Sequence, residues 1–358
     1  MGGMSMETVV NCLDEQVSVM SPIFSDDAFS RLDATDDVTF YARDRFVSHL
    51  DSLALSTVEH IIGHLVVEER PAILDLMAGW DSHIPEKLRP SEVVGLGLNE
   101  NELKQNKALT EYVLHDLNRD PRLPFPDNRF HVVLNTVSVD YMTQPVAVFE
   151  EVARILKPGG LFLVIFSDRM FPHKAVKVWR ESSEDERVIL VDEFFKQSGE
   201  FEKTSLFVSR GKPRPADDKY AGTMALSDPV YALYAEKKGG RPDRRPRPVV
   251  SMGYGDTPGR EEVEQKKACI KETLCCPYCG QKLSKWEVPD NPFCQTWDNE
   301  FMYICFNDDC PYFVRGWDKM YRDTLQGMSY RLMYNPEKDR CMPIPVPSHQ
   351  ALRDGIIE

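Results

Sequence analysis

Short apolar runs alternate with amphipathic stretches through the middle of the chain, and that alternation predicts its architecture. Strand-like runs occupy residues 72–78, 93–98, 112–117, 130–137 and 161–167. They are dense in Val, Ile and Leu, as expected of strands buried on both faces. Helical periodicity fills the intervals. Val58, Ile61, Ile62, Leu65 and Val66 share one apolar face, with Ser56 and Glu59 at capping-box spacing. Asn99 to Leu109 follows the second run. Val146, Phe149, Val152, Ile155 and Leu156 share a face that ends at Lys157-Pro158-Gly159-Gly160, a chain-stopping turn. Val191 to Gln197 reads as a further helix, and Thr204–Ser209 and Val230–Ala235 as two further strands. Alternating strands and helices imply an α/β fold, a mostly parallel sheet covered on both faces.

Outside this block the pattern changes three times. Residues 1–37 are acidic and weakly patterned, and read as a loosely ordered N-terminal arm. Residues 38–236 hold the α/β domain. Residues 237–268 begin with a Gly-, Pro- and Arg-rich run that has little to bury, and read as a basic linker. Residues 269–358 bring cysteines and aromatics with few aliphatic runs, the mark of a second, smaller domain.

Charge and cysteine usage narrow the function classes. A net charge of −14 argues against broad duplex binding, which needs many Lys and Arg contacts to phosphates. No apolar run reaches membrane-spanning length, and MGGMSMETVVNCLDEQ lacks the basic and apolar segments of a secretory signal. Eight of the nine cysteines lie between Cys269 and Cys341. Such clustering points to metal binding in a reducing compartment, and the expected location is cytoplasmic.

The stretch ILDLMAGWDSHIP, residues 73–85, carries the first candidate chemistry. An apolar strand reaches Asp75, then passes through Ala78 and Gly79 into a polar turn. Open α/β sheets bind ligands at such carboxyl-terminal strand ends. Small residues admit a ligand to the backbone, and the carboxylate accepts hydrogen bonds.

Between residues 112 and 167 the order of motifs becomes specific. Asp116, then Leu123-Pro124-Phe125, then Phe130-His131-Val132-Val133, then Leu156 to Gly160 resemble the middle of a class I S-adenosylmethionine-dependent methyltransferase. Residues 38–50, DLMAGWDSHIP, VVGLGLNENEL, SVDYM and FSDRMFPHKAVKVW narrow the resemblance to a type 11-like subgroup. It implies a Rossmann-like, doubly wound seven-stranded sheet and S-adenosyl-L-methionine as cofactor. It also implies residue roles. Asp75, Ala78, Gly79 and Trp80 would approach the amino-acid moiety, Asp116 and Leu117 would read the adenine, and Asn135 and Ser138 would lie beneath the methionine portion. The acid that commonly ends the second strand falls on Gly97, so Asn99 or Glu100 would replace it at the ribose. Trp80 and His83 stand where such enzymes usually carry glycines. Asp140 and Tyr141 are the candidate catalytic base and orienter. The sequence NTVSVDYM replaces the NPPY or DPPY that holds a flat amino group, which disfavours a nucleobase exocyclic nitrogen as acceptor. The acceptor, small or macromolecular, is left open.

Cys276-Pro277-Tyr278-Cys279-Gly280 has the form of a rubredoxin-like knuckle, and Cys305 and Cys310 form a second pair after twenty-five intervening residues. Cys276, Cys279, Cys305 and Cys310 together make a closed four-thiolate Zn(2+) site, structural rather than catalytic. Cys275 is the alternative to Cys276, but lacks the two-residue spacing. The four-residue spacing of the second pair resembles Ogr/Delta-type zinc fingers, which implies a zinc ribbon. Phe293, Trp297, Phe301, Tyr303, Phe306, Tyr312, Phe313 and Trp317 could stack on bases, or be the core of a domain poor in aliphatics. Residues 269–358 carry ten Lys/Arg and thirteen Asp/Glu, which favours the core. Two functions follow. One is a methyltransferase whose ribbon positions substrate or partner; the other is a regulatory nucleic-acid- or protein-binding protein on a degenerate methyltransferase-like scaffold.

Overall fold

The computed structural model describes residues 24–240, 259–289 and 299–357, which form two compact units. The first unit, described over residues 24–208 and 228–240, carries a seven-stranded sheet. Its strands are β1 (Ala72–Leu76), β2 (Glu92–Gly97), β3 (Glu111–Leu114), β4 (Phe130–Thr136), β5 (Leu156–Phe166), β6 (Ser205–Ser209) and β7 (Val230–Glu236). The spatial order is β3-β2-β1-β4-β5-β7-β6, with β1 to β5 parallel and β7 antiparallel to β5. This is the Rossmann-like, doubly wound seven-stranded sheet that the sequence led one to expect. The chain reverses direction in sheet order between β1 and β4, so the ends of those strands flank the crevice where ligands bind.

Six helices accompany the sheet: α1 (Asp37–Tyr41), α2 (Ser52–Leu65), α3 (Glu100–Gln105), α4 (Pro145–Ile155), α5 (Lys177–Glu181) and α6 (Glu184–Ser198). β1 is buried throughout, as the unbroken apolar run requires. Phe149 of α4, Phe162 of β5 and Phe195 of α6 pack with ring centroids about 5 Å apart, which joins two helices to the sheet.

Several boundaries differ from expectation. α2 begins earlier than Ser56, because Asp51 accepts N–H bonds from Leu53 and Ala54 and so caps the helix. α6 begins at Glu184, under a capping box between Ser183 and Glu186. The helix before Lys157 stops at Ile155, and the Lys-Pro-Gly-Gly segment already runs in β5. Residues 24–37 are docked rather than loose: Phe24 and Phe29 pack on Phe194, and Asp37 is buried. Residues 1–23 lie outside the described residues.

The second unit includes the described residues from 259 onward. It also takes in Ser209–Ser227, which sequence reading placed in the α/β domain. That segment joins because Gly211, at φ 78°, lets its backbone meet Trp317 and Tyr321, while Arg210 pairs with Asp318 at 3.0 Å. The unit contains α7 (Arg260–Ala268), α8 (Ile270–Thr273), α9 (Pro311–Thr324) and strands β8 (Ser284–Glu287), β9 (Phe301–Ile304), β10 (Ser329–Asn335) and β11 (Arg340–Val346). α7 lies where the linker was expected, and residues 241–258 fall outside the described residues. The sheet has order β11-β10-β9-β8, and its β8–β9, β9–β10 and β10–β11 pairs are antiparallel. α9 packs on β10 so closely that a Cβ on Gly316 would strike Ser329. Phe313 and Trp317 are buried core, as the low basic charge suggested, whereas Phe301, Tyr303, Phe306 and Tyr312 are half-buried. Phe293 and Trp297 lie outside the described residues. No described helix is long and apolar enough to cross a membrane.

Candidate functional site

The turn after β1 is held open by polar side chains. Asp75, buried at the strand end, accepts a hydrogen bond from Ser82 Oγ at 2.6 Å. Asn106 Nδ2 donates to Ser82 Oγ at 2.9 Å and to the Gly79 carbonyl at 3.0 Å. Burial pushes the Asp75 carboxyl up to about 6, although the Ser82 bond and His83 pull it down. Burial opposes protonation of His83, but Asp81 at 3.2 Å holds that imidazole above its ordinary value. Met77 takes φ 62° and His83 φ 53°, so the turn is built from left-handed residues as well as small ones.

The missing acid at Gly97 has a steric cause. A Cβ there would lie 2.4 Å from the Ala78 carbonyl oxygen, and Ala78 N–H donates to Leu96 O at 2.8 Å. The end of β2 is therefore pressed against the turn after β1, with no room for a side chain. Asn99 is close by, but its amide is committed. Oδ1 accepts the N–H groups of Asn101 and Glu102 and so caps α3. Nδ2 donates to Tyr41 O and to Asp44, both at 3.0 Å. Those four bonds use the full capacity of an asparagine amide. Glu100 is occupied by Lys104 and Tyr112.

Sequence reading missed Glu102. One of its oxygens accepts the Arg45 N–H at 2.7 Å, and the other lies 3.4 Å from where a Gly79 Cβ would be. Burial raises its carboxyl. Glu102 stands three residues beyond the cap and looks like an ordinary first-turn helix acid, so no local signal marks it. Trp80 is half-buried and donates Nε1–H to Val47 O at 3.2 Å. It therefore fastens residues 38–50 beside the turn.

Asp116 folds its own turn, accepting N–H bonds from Asn118 at 2.9 Å and from Arg119 at 3.4 Å, and Leu117 is buried beside it. Asn118 is a second residue that sequence reading missed. It donates to Asp37 and to Tyr141 O, both at 2.9 Å, and accepts from Thr143. Asp37 in turn binds Arg31 at 2.7 Å and the fully buried Lys174 at 3.1 Å.

The end of β4 carries the unsatisfied chemistry. Asn135, fully buried, donates to Leu76 O at 3.1 Å and Ser138 Oγ at 2.8 Å. Its Oδ1, Thr136 Oγ1 and Asp140 Oδ2 are buried without partners. Val137 between them takes φ 52°, a strained conformation for a β-branched residue. Asp140 sits in a short 3-10 turn, Val139–Tyr141, and does not cap α4, whose N-terminus has no side-chain cap bond. Burial lifts its carboxyl to about 7, against its own backbone bond, Tyr141 and Arg187. Burial, with Asp140 next, also drives Tyr141 well above an ordinary phenol. Tyr141 Oη accepts the Phe171 N–H at 2.8 Å.

In the second unit, the sulfurs of Cys276, Cys279, Cys305 and Cys310 all lie within 4.8 Å of one another. Cys276 and Cys310 are 3.8 Å apart, and Cys279 and Cys305 are 3.6 Å apart. A tetrahedral zinc with sulfurs at about 2.3 Å needs edges of about 3.8 Å. The four residues therefore fit the ion by number, donor type and spacing. Gly280, at φ 73°, closes the first knuckle with its N–H on Cys276 O at 2.8 Å. Cys275 is outside the cluster, and Cys269 is exposed. Behind it, the fully buried Arg331 donates to Cys305 O at 3.2 Å and to Asp308 at 2.5 Å, and Arg353 grips Asp308 at 2.9 Å. Neither arginine was legible as a support from spacing.

Residues 76–164 match a family model described as a methyltransferase domain. A fatty-acid O-methyltransferase of Mycolicibacterium smegmatis is 37% identical over 90 residues, 24% of this chain and 32% of that protein. A ubiquinone/menaquinone biosynthesis C-methyltransferase of Neisseria meningitidis is 26% identical over 162 residues, 44% of this chain and 63% of that protein. The chain thus spans from about a third to less than two thirds of the length of these curated relatives. A crystal structure of a SAM-dependent methyltransferase from Archaeoglobus fulgidus aligns with TM-score 0.38 and 12% identity, over 53% of this chain and 95% of that one.

Proposed function

We propose, on the premise that residues 76–164 are a methyltransferase domain, that this chain transfers a methyl group from S-adenosylmethionine to an acceptor bound beside Asp140. The observation that carries the proposal is the set of unpartnered buried oxygens on Asn135, Thr136 and Asp140 at one strand end. Unpaired buried polar atoms cost roughly 1–3 kcal/mol each, and a ligand that supplies hydrogen-bond donors removes that cost. The bound cofactor would supply an electrophilic methyl on a sulfonium.

The chain's own residues divide the work. Asp75, Ala78, Gly79 and Trp80 would border the amino-acid end, and Asn135 and Ser138 the methionine portion. Asp116 and the Leu117 backbone would take the adenine. With Gly97 sterically closed and Asn99 committed to its cap, Glu102 is the carboxylate left to face the ribose beside Gly79. Asp140 would hold the proton that an acceptor releases, and Tyr141 would orient that acceptor. Placement of the nucleophile accounts for most of the acceleration in such a transfer. Tyr141, locked to Phe171, offers a fixed wall for it.

The four-cysteine unit is proposed as a zinc ribbon that positions the substrate or a partner. Its closed thiolate set leaves no ligand position for chemistry. The expected residence is the cytoplasm, where such thiols stay reduced.

Calorimetric titration with S-adenosylhomocysteine tests the reading. Saturable heat that weakens at least tenfold in Asp75→Ala and Glu102→Ala supports it, and no heat at millimolar ligand rejects it. Salt-sensitive retention on RNA or DNA, lost in Cys276→Ser/Cys279→Ser, would instead favour a regulatory binding protein.

A further inference from the structure

The Arg45 guanidinium sits among three aromatic rings. Its Cζ lies 4.8 Å from the Phe40 ring centroid, 5.5 Å from Tyr41 and 5.4 Å from Phe171. Cations within about 6 Å of a ring centroid are attracted by the π face. The polar contacts of this guanidinium are two backbone carbonyls, Arg43 O at 3.0 Å and Phe40 O at 3.1 Å. Among the described residues no carboxylate pairs with it. A cage that holds positive charge by ring faces selects for charge and shape rather than for a hydrogen-bonding pattern.

The cage adjoins the candidate acceptor side. Phe171 packs against Tyr141 with centroids 6.1 Å apart, and its N–H donates to the Tyr141 oxygen. Tyr41 feels the Asp140 carboxylate, which after burial is the main influence holding its phenol protonated. Asp140 carries the unpartnered buried oxygen Oδ2. The Arg45 backbone is anchored, its N–H resting on Glu102, so only its side chain has to swing aside, towards the exposed Phe46 and Val47 beside it.

We propose that the cage of Phe40, Tyr41 and Phe171 is an organic-cation site, filled in this structure by Arg45, and that the acceptor is an amine entering as an alkylammonium in its place. The proposal rests on the methyltransferase reading for the acceptor role, but the binding site stands on its own geometry. An ammonium must lose a proton before its nitrogen lone pair is free, and Asp140 is the adjoining carboxylate able to accept it.

The test titrates the full chain with choline and with its uncharged isostere 3,3-dimethylbutan-1-ol, each with and without S-adenosylhomocysteine. The variants are Arg45→Ala and Arg45→Gln, so that the second reads if the first fails to fold. Either variant is expected to bind choline at least tenfold more tightly than wild type, with no such gain for the alcohol. Adding Phe171→Ala is expected to abolish the gain. An equal gain for both probes, or no gain for choline, overturns the site. Hexanoate binding to wild type but not to Arg45→Gln also overturns it, because Arg45 would then be an anion anchor. A choline gain without any heat from S-adenosylhomocysteine keeps the cation site and rejects the methyltransferase reading.

Discussion

A side chain at Gly97 would begin 2.4 Å from the carbonyl oxygen of Ala78, so the end of β2 and the turn after β1 meet backbone to backbone. Restoring the common acid at this position is therefore expected to harm the protein. Gly97→Asp should lower stability by about 1–3 kcal/mol, as overpacking does, and should not tighten S-adenosylhomocysteine binding. Denaturant melts and calorimetry on the same samples check both halves. Improved affinity would show that the turn can yield.

Asp140 is buried, and its carboxyl is raised to about 7. As a base it works only when ionised, so activity should rise with pH through about 7. Asp140→Asn should remove activity together with that rise. The stability effect has the opposite sense. A raised carboxyl favours the folded state while protonated, and this benefit is lost as pH climbs from 3.8 through about 7. Asp140→Asn should then be more stable than wild type at pH 8, by up to about 4 kcal/mol, and no more stable below pH 3.8. Thermal melts across that range decide it.

Asp37 joins Arg31 to Asn118 in the β3–β4 connection and to Lys174 between β5 and α5. Burial works against its charge, yet those three partners hold its carboxyl below the ordinary 3.8. Its stabilisation is present above pH 3.8 and fades as pH falls through the lowered value. Asp37→Ala leaves Lys174 buried with less counter-charge and should cost about 3 kcal/mol at pH 7. The difference from wild type should shrink in acid, as urea melts at pH 7 and pH 3 would reveal.

Asp51 and Asp228 exchange bonds: each carboxylate accepts the other's N–H, at 2.6 and 2.9 Å, and Asp51 also caps α2. Asp51→Ala removes a cap and a buried acceptor together, with an expected loss of about 2–4 kcal/mol. Asp51→Asn keeps an acceptor oxygen and should recover part of the loss.

Chelation or Cys279→Ser should unfold the second unit, because metal binding and folding are one equilibrium in such sites. Thiol titration should then count newly reactive cysteines. The near-ultraviolet signal of Trp286 and Trp317, both buried in that unit, should collapse. Asp308→Ala should speed metal loss at least several-fold, because it frees both Arg331 and Arg353 behind Cys305.

What the chain's order of residues determined by itself is periodic or closely spaced. Apolar runs located the seven strands: the inner strands β2, β1, β4, β5 and β7 are buried along nearly their whole length and have to be apolar, while the edge strands β3 and β6 are only partly covered. Cysteine spacing selected Cys276 over Cys275 and paired it with Cys279, Cys305 and Cys310, because a knuckle admits only certain separations. Tertiary structure decided what depends on partners distant in the chain. It made Gly97 intolerant of an acid through Ala78, committed Asn99 to Tyr41 and Asp44, and brought Glu102 to Gly79. It drew Ser209–Ser227 into the cysteine-bearing unit through Trp317 and Tyr321. A polar side chain's role is set by which groups reach it, and no local pattern encodes contacts between residues distant in the chain. The strand end at Asp75 was therefore visible in the sequence, while the side chains that complete its surroundings were visible only once the chain had folded around it.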